Sequence, residues 1–257
     1  MPFTLAHPAA AVPLQRRLGR FGVLSALVIG SMVPDVAYFV PLGVTRAQSH
    51  SVAGLLWWCL PAGLALYALF HAVLSPALVA LAPRALRARV APIEASRTPP
   101  QLLAICVSLL VGATTHIAWD SFTHDSGPMV HAIDWLRLPL GTIWGYRLYT
   151  YRLIQHGSSV LGLLWLALQV ERWWRRTPAA APVPDAVPRR VRIATLAAIL
   201  TATLVTAGVE AAPRVARAHD LSTLRPAVGC AVTTAMSASG ISILLYALAW
   251  HVWRRVR

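Results

Sequence analysis

The chain has 257 residues, of which 57% are hydrophobic and only 12% charged, with mean hydropathy +0.59, against roughly 25% charge in soluble domains. That composition excludes a water-soluble globular domain and indicates an integral membrane protein. The formal net charge of +14 comes from arginines without a single lysine, spread in short clusters between apolar runs, so no basic patch for nucleic acid is formed.

From the N-terminus, His7-Pro8 opens a stretch, 8 to 18, that is too short to span a bilayer. Gly19-Arg20 makes a turn, and 21 to 33 returns as a helix that Pro34 biases toward its end. This hairpin places His7 and Asp35 together, with Arg16, Arg17 and Arg20 at the opposite tip. The alternative is a sixth span over 21 to 40, which would set His7 and Asp35 apart. No cleavable secretory signal is expected, because the arginines follow the first apolar stretch instead of preceding it.

Five further apolar segments, 52 to 74, 101 to 120, 157 to 174, 193 to 212 and 228 to 253, each approach the ~20 residues that a helix needs to cross a bilayer. The expected fold is therefore all-α, a polytopic transmembrane helical bundle with five full spans plus an N-terminal helical hairpin or sixth span. We read residues 1–257 as a single membrane domain. Within it, 1–174 carry the site-bearing helices, 175–192 form a cytoplasmic linker loop and 193–257 form a C-terminal helix pair. The Arg-rich stretch 84 to 97 reads as another connecting loop. Cys59, Cys106 and Cys230 stand alone in apolar segments, as packing residues do.

Arginine distribution sets the expected orientation. With both termini cytoplasmic, that side collects Arg16, Arg17, Arg20, Arg84, Arg87, Arg89, Arg97, Arg172, Arg175, Arg176, Arg189, Arg190, Arg192, Arg254, Arg255 and Arg257, which is 16 of the 23 basic residues. The positive-inside rule favours this arrangement over its inverse. Segment 121 to 156 then lies outside, where Trp135, Trp144, Tyr146, Tyr149 and Tyr151 suit an interfacial belt.

Ionisable groups at membrane depth are costly and mark functional sites. His116 and Asp120 are four apart on a helix, with Cβ atoms about 6 Å apart, a spacing that lets both grip one divalent cation at about 2.0–2.2 Å. The helix end continues Ser121-Phe-Thr-His124-Asp125, and Asp35 and Gln48-Ser-His50-Ser51 face the same outer side. Other titratable groups have simpler readings. His71 and His251 are packing histidines, and Glu171 with Arg175 and Glu210 with Arg214 are helix-end ion pairs. His219-Asp220 reads as a solvated loop and Ser51 as a helix cap. His131 and His156 are on the outer side without paired spacing, as candidate substrate contacts. No nucleophile elbow and no zincin helix is present.

Met-Pro-Phe-Thr-x-Ala-His-Pro-Ala, Ser-Met-Val-Pro-Asp, Ser-His-Ser, His-x-x-x-Asp-Ser-Phe-Thr-His and Gln-His-Gly-Ser-Ser resemble the bacterial membrane family called domain of unknown function 4184, over about residues 3 to 250. The same pattern is distantly similar to predicted membrane-bound metal-dependent hydrolases. That likeness maps His7, Asp35, His50, His116 and Asp120 onto metal ligands. Where those hydrolases carry Pro-Asp-Ile-Asp, this chain has Pro34-Asp35-Val36-Ala37, which points to one ion rather than two. The first expectation is a membrane-embedded hydrolase in which a divalent ion, zinc or manganese, activates water against a phosphoester or acyl group of a lipid-like substrate, at the face of the bacterial inner membrane that the arginine distribution places outside. Asp35 would be a ligand or the base that orients the water, and His124 the acid for the leaving group. The competing expectation is a non-catalytic transporter or assembly factor that uses the same groups for cations or protons. Membrane lipid is the expected partner, and nucleic acid is not.

Overall fold

The computed structural model describes residues 4–40, 43–95, 100–179 and 187–256, with the side chains of 91–95 left aside. Arg97, Arg257, Met1-Pro2-Phe3 and the middle of the linker, 180–186, lie outside the described residues.

Five helices are long and apolar enough to cross a membrane, by length and composition: Val52–Leu81, Leu102–Ala132 with its C-terminal break, Thr150–Arg176, Arg189–Val215 and Leu221–Val256. We label Leu24–Gly30 α1, Val52–Leu81 α2, Arg84–Ala95 α3, Leu102–Thr123 α4, Thr150–Arg176 α5, Arg189–Val215 α6 and Leu221–Val256 α7. The chain is a polytopic helical bundle preceded by a helical hairpin, and the sixth-span alternative is not adopted. The returning arm of the hairpin is only seven residues long, and Pro34 opens a tight turn, Val33–Tyr38, in place of further α-helix.

α1 packs along α4, where Ala26 meets Ile105 and Leu109, and Leu60, Leu64 and Tyr67 of α2 close the cluster. One layer on, Val33, Cys59 and Ala113 continue it. At the far end Ala77 and Ala80 of α2 pack with Val187, Ala247 and Trp250, and α6 lies chiefly against α7. α2 contains two wide π-type turns, Leu55–Cys59 and Phe70–Leu74, and each is followed by a proline, Pro61 or Pro76. A proline ring collides with the carbonyl four residues back, and widening the turn relieves that contact. The second wide turn is held by His251 Nε2, which donates to Val73 O at 3.0 Å.

Two connecting segments differ from expectation. Residues 84–95, read as loop, form α3, because alanine, leucine and arginine are strong helix formers and outweigh the polar pattern. The linker is shorter than 175–192: α5 runs to Arg176, with Arg175 Nη2 2.6 Å from Glu171 Oε1, and α6 starts at Arg189. Glu210 and Arg214 also pair, at 3.5 Å. A small antiparallel hairpin, β1 (Pro139–Ile143) and β2 (Tyr146–Tyr149), is an addition to the all-α expectation. Its turn residues Trp144 and Gly145 both have positive φ, 42° and 75°, the geometry that matches strand twist in two-residue turns. Trp144 O accepts from Leu221 N at 2.9 Å, which docks the hairpin on the start of α7. There Asp220 accepts from the hydroxyl and backbone N–H of Thr223 and from the hydroxyl of Ser222, bonds that hold its carboxyl down at about 2. Asp220 thus caps a helix, where the sequence suggested only a loop.

Candidate metal centre

α4 is the template of the centre. Ser108, Gly112, His116 and Asp120 recur every four residues, so they share one buried face. Ser108 Oγ accepts from Val23 N at 2.9 Å and donates to Phe21 O at 2.6 Å, which satisfies the open N-terminus of α1. At Gly112 a Cβ would lie 2.4 Å from Leu27 O, and at Gly30 2.3 Å from Leu109 O. The two backbones are therefore in direct contact, as small residues allow between membrane helices. That contact brings Ser31 O to 2.7 Å from His116 Nδ1.

A carbonyl only accepts, so His116 Nδ1 carries the proton and a neutral ring presents a bare Nε2. His50 follows the same logic. Its Nδ1 lies 2.9 Å from Ser49 Oγ, and with Nδ1 donating to that oxygen a neutral ring presents a bare Nε2. Orientation of this kind, by a partner on the other ring nitrogen, is what metal-binding histidines receive.

The two nitrogens meet two carboxylates. His50 Nε2 is 3.4 Å from Asp35 Oδ1 and 3.4 Å from Asp120 Oδ2, and His116 Nε2 is 3.6 Å and 3.5 Å from the same atoms. These gaps exceed the 2.7–3.2 Å of a hydrogen bond, and neither Nε2 has a hydrogen-bond partner. Ligands placed tetrahedrally at about 2.1 Å from one ion stand about 3.4 Å from each other. Four of the edges have that length, and all four donor atoms lie within 4.8 Å of one another. The donor set fits a divalent cation.

The surrounding groups are specific. Thr4 Oγ1 donates to Asp35 Oδ2 at 2.7 Å, so the N-terminal hairpin does bring the start of the chain to Asp35. Arg46 Nη2 donates to Asp120 Oδ2 at 2.7 Å while Nη1 donates to Tyr38 Oη at 3.1 Å. His7 is 1% exposed and stacked on His116 at 3.7 Å, with Nε2 3.6 Å from Asp120 Oδ1. His124 Nδ1 is 3.3 Å from that same oxygen. His7 and His124 thus flank the second oxygen of Asp120, beside the four converging donors. A cleft of about 520 Å³ bordered by Arg46, His50, Ser51, Asp120 and Ser121 opens onto the centre.

Of the five ligands expected from the sequence, Asp35, His50, His116 and Asp120 supply the converging donors, while His7 stands beside them against Asp120, as His124 does. Thr4, Ser31, Arg46 and Ser49 were not selected. The spacing of Arg46, four before His50, was the one available signal, since the contribution of Ser31 is a backbone carbonyl. Outside the centre, His71 bonds Ser25 Oγ at 2.9 Å and Ser51 caps Gly54 N at 2.8 Å. His131 is exposed, and His156 lines a different cavity.

A protein-family model described as Domain of unknown function (DUF4184) matches residues 1–248. Neither a curated protein nor a solved structure matches the chain.

Proposed function

The chain belongs to the DUF4184 family, and on that footing we propose that it is a membrane-embedded, metal-dependent hydrolase of a lipid-like phosphoester. The observation that carries this reading is the set of four nitrogen-to-oxygen gaps of 3.4–3.6 Å around one buried point. Asp35, His50, His116 and Asp120 would hold zinc or manganese, and His7 would steady Asp120 from its other oxygen. Such an ion lowers the pKa of a water toward about 7 and polarises the ester oxygen.

The chain's own residues do the rest. Thr4 fixes one oxygen of Asp35 and leaves the other facing the centre, as a ligand or as the base that orients the water. His124, beside Asp120 and 9% exposed, is placed to protonate a leaving group. Charge separates the two substrate classes. Two carboxylates, a divalent ion and Arg46 sum to one net positive charge, which suits an anionic phosphoester better than a neutral acyl ester.

Purified protein supplied with zinc or manganese is expected to cleave a lipid phosphodiester, and His124→Ala to lose about 10²- to 10⁴-fold in kcat with its metal retained. A wild type that binds the ion stoichiometrically and cleaves nothing would leave the non-catalytic reading, cation or proton binding by the same groups. Ser49→Ala releases the ring of His50 and is expected to weaken metal affinity about 10- to 100-fold, read by competition with a chelating dye.

We place the centre at the outer face of the bacterial inner membrane, with both termini cytoplasmic. Supporting this, Arg16 at the hairpin tip shares a cavity with Arg172 and Arg176, and Arg89 lies 4.0 Å over the ring of Trp174. The arginine clusters therefore gather at the end away from Asp120. A cysteine replacing Asp134, whose side chain is 95% exposed, should react with an impermeant maleimide in intact cells. Reaction only after lysis would invert the orientation.

A further inference from the structure

A second cavity, about 520 Å³, lies between α5 and α7 and shares no lining residue with the cleft at Arg46. Val160 and Leu163 of α5 and Val228, Val232 and Met236 of α7 make its walls apolar. One end is cationic. Arg225 and His156 line it, and the guanidiniums of Arg225 and Arg152 both stand over the ring of Tyr146, at 5.3 Å and 5.2 Å.

Arg152 also stands 5.2 Å over the ring of Tyr151, so Arg225 is the arginine that faces the cavity. Among the described residues, neither arginine has a carboxylate within ion-pair distance. The geometry points to a binding site for an anionic membrane phospholipid: its phosphate lies against Arg225 and His156, and one acyl chain runs along the groove between α5 and α7. A free phosphate would use the cationic end and leave the apolar walls unfilled. Thr4, which bonds Asp35, also lines the groove, so the bound lipid lies one side chain from the centre. Binding stands independently of the hydrolase reading; in naming the substrate class of that hydrolase, it rests on it.

The test uses the full chain in detergent, with phosphatidylglycerol or phosphatidylcholine added and retained lipid counted by native mass spectrometry. Wild type is expected to hold phosphatidylglycerol about tenfold more strongly than phosphatidylcholine. Arg225→Ala should abolish that preference. Gly229→Leu should reduce retention of both lipids about tenfold, because Gly229 lines the groove and an added Cβ there meets nothing within 4 Å. Metal content should stay at the wild-type value in both variants. Retention unchanged in both variants overturns the site. Thermal protection by inorganic phosphate alone, equal to that by phosphatidylglycerol, overturns it too. Retained lipid that is never hydrolysed supports the site and counts against the hydrolase reading alone.

Discussion

Asp120→Asn is expected to yield a protein that inserts normally but carries no stoichiometric metal. Oδ2 of Asp120 faces His50, His116 and Arg46, and Oδ1 faces His7 and His124. Asparagine preserves the shape, but it removes one of the two anionic donors and brings an amide into a site 3% exposed. The apolar helices do not depend on that charge, so insertion continues. Wild type with metal at a hundred times its Kd should gain about 2.7 kcal/mol, about 5 to 11 °C in Tm for a chain of this size. The variant should gain nothing. Thermal scans with and without zinc, alongside metal analysis of the purified proteins, measure both quantities. An asparagine variant that keeps its metal and its thermal response would show that His116 and Asp120 are a packed pair and nothing more.

Gly112→Ala should produce a large loss of stability. The added Cβ would sit 2.4 Å from Leu27 O and 2.7 Å from Ser31 N. Both obstacles are backbone, so no side chain can turn aside, and α1 must leave α4. Overpacking costs about 1–3 kcal/mol; with backbone as the obstacle we expect the upper end, about 6 to 12 °C in Tm. As α1 retreats, Ser31 O leaves His116 Nδ1, so metal affinity falls with stability. Gly208→Ala is the control: an added Cβ there meets nothing within 4 Å, and alanine favours a helix by about 0.5–1 kcal/mol. If the two variants melt alike, the close approach of α1 and α4 is wrong.

The contrast between these two glycines shows where the sequence stopped being informative. The four-residue step from His116 to Asp120 is local, and helix periodicity alone puts both on one face. Pro34 is local as well: it ends the returning arm that Gly19-Arg20 turns back, and the two signals together made the hairpin legible. Gly112 and Gly208 look alike in the sequence, because what separates them is the proximity of α1, a tertiary fact. Arg46 and Ser49 were passed over for the same reason: their partners, Asp120 and the ring of His50, are defined by how the loop before α2 lies on α4. The Arg-rich stretch at 84 looks like a loop by its charge, and the helix propensity of its alanines, leucines and arginines overrides that pattern. Trp144-Gly145 was missed because it lacks the Asn-Gly or Asp-Gly pattern that marks a two-residue turn.

The bond between His116 and Ser31 joins residues 85 positions apart. At ribosomal rates of about 5–20 residues per second, about 4 to 17 s separate the synthesis of its two partners. Throughout that interval the segment that carries Asp35 lacks the face of α4, Ser108, Gly112 and His116, against which it packs. Docking of α1 therefore waits on α4, and the wall of the centre that Ser31 and Asp35 supply closes only after that helix has been made.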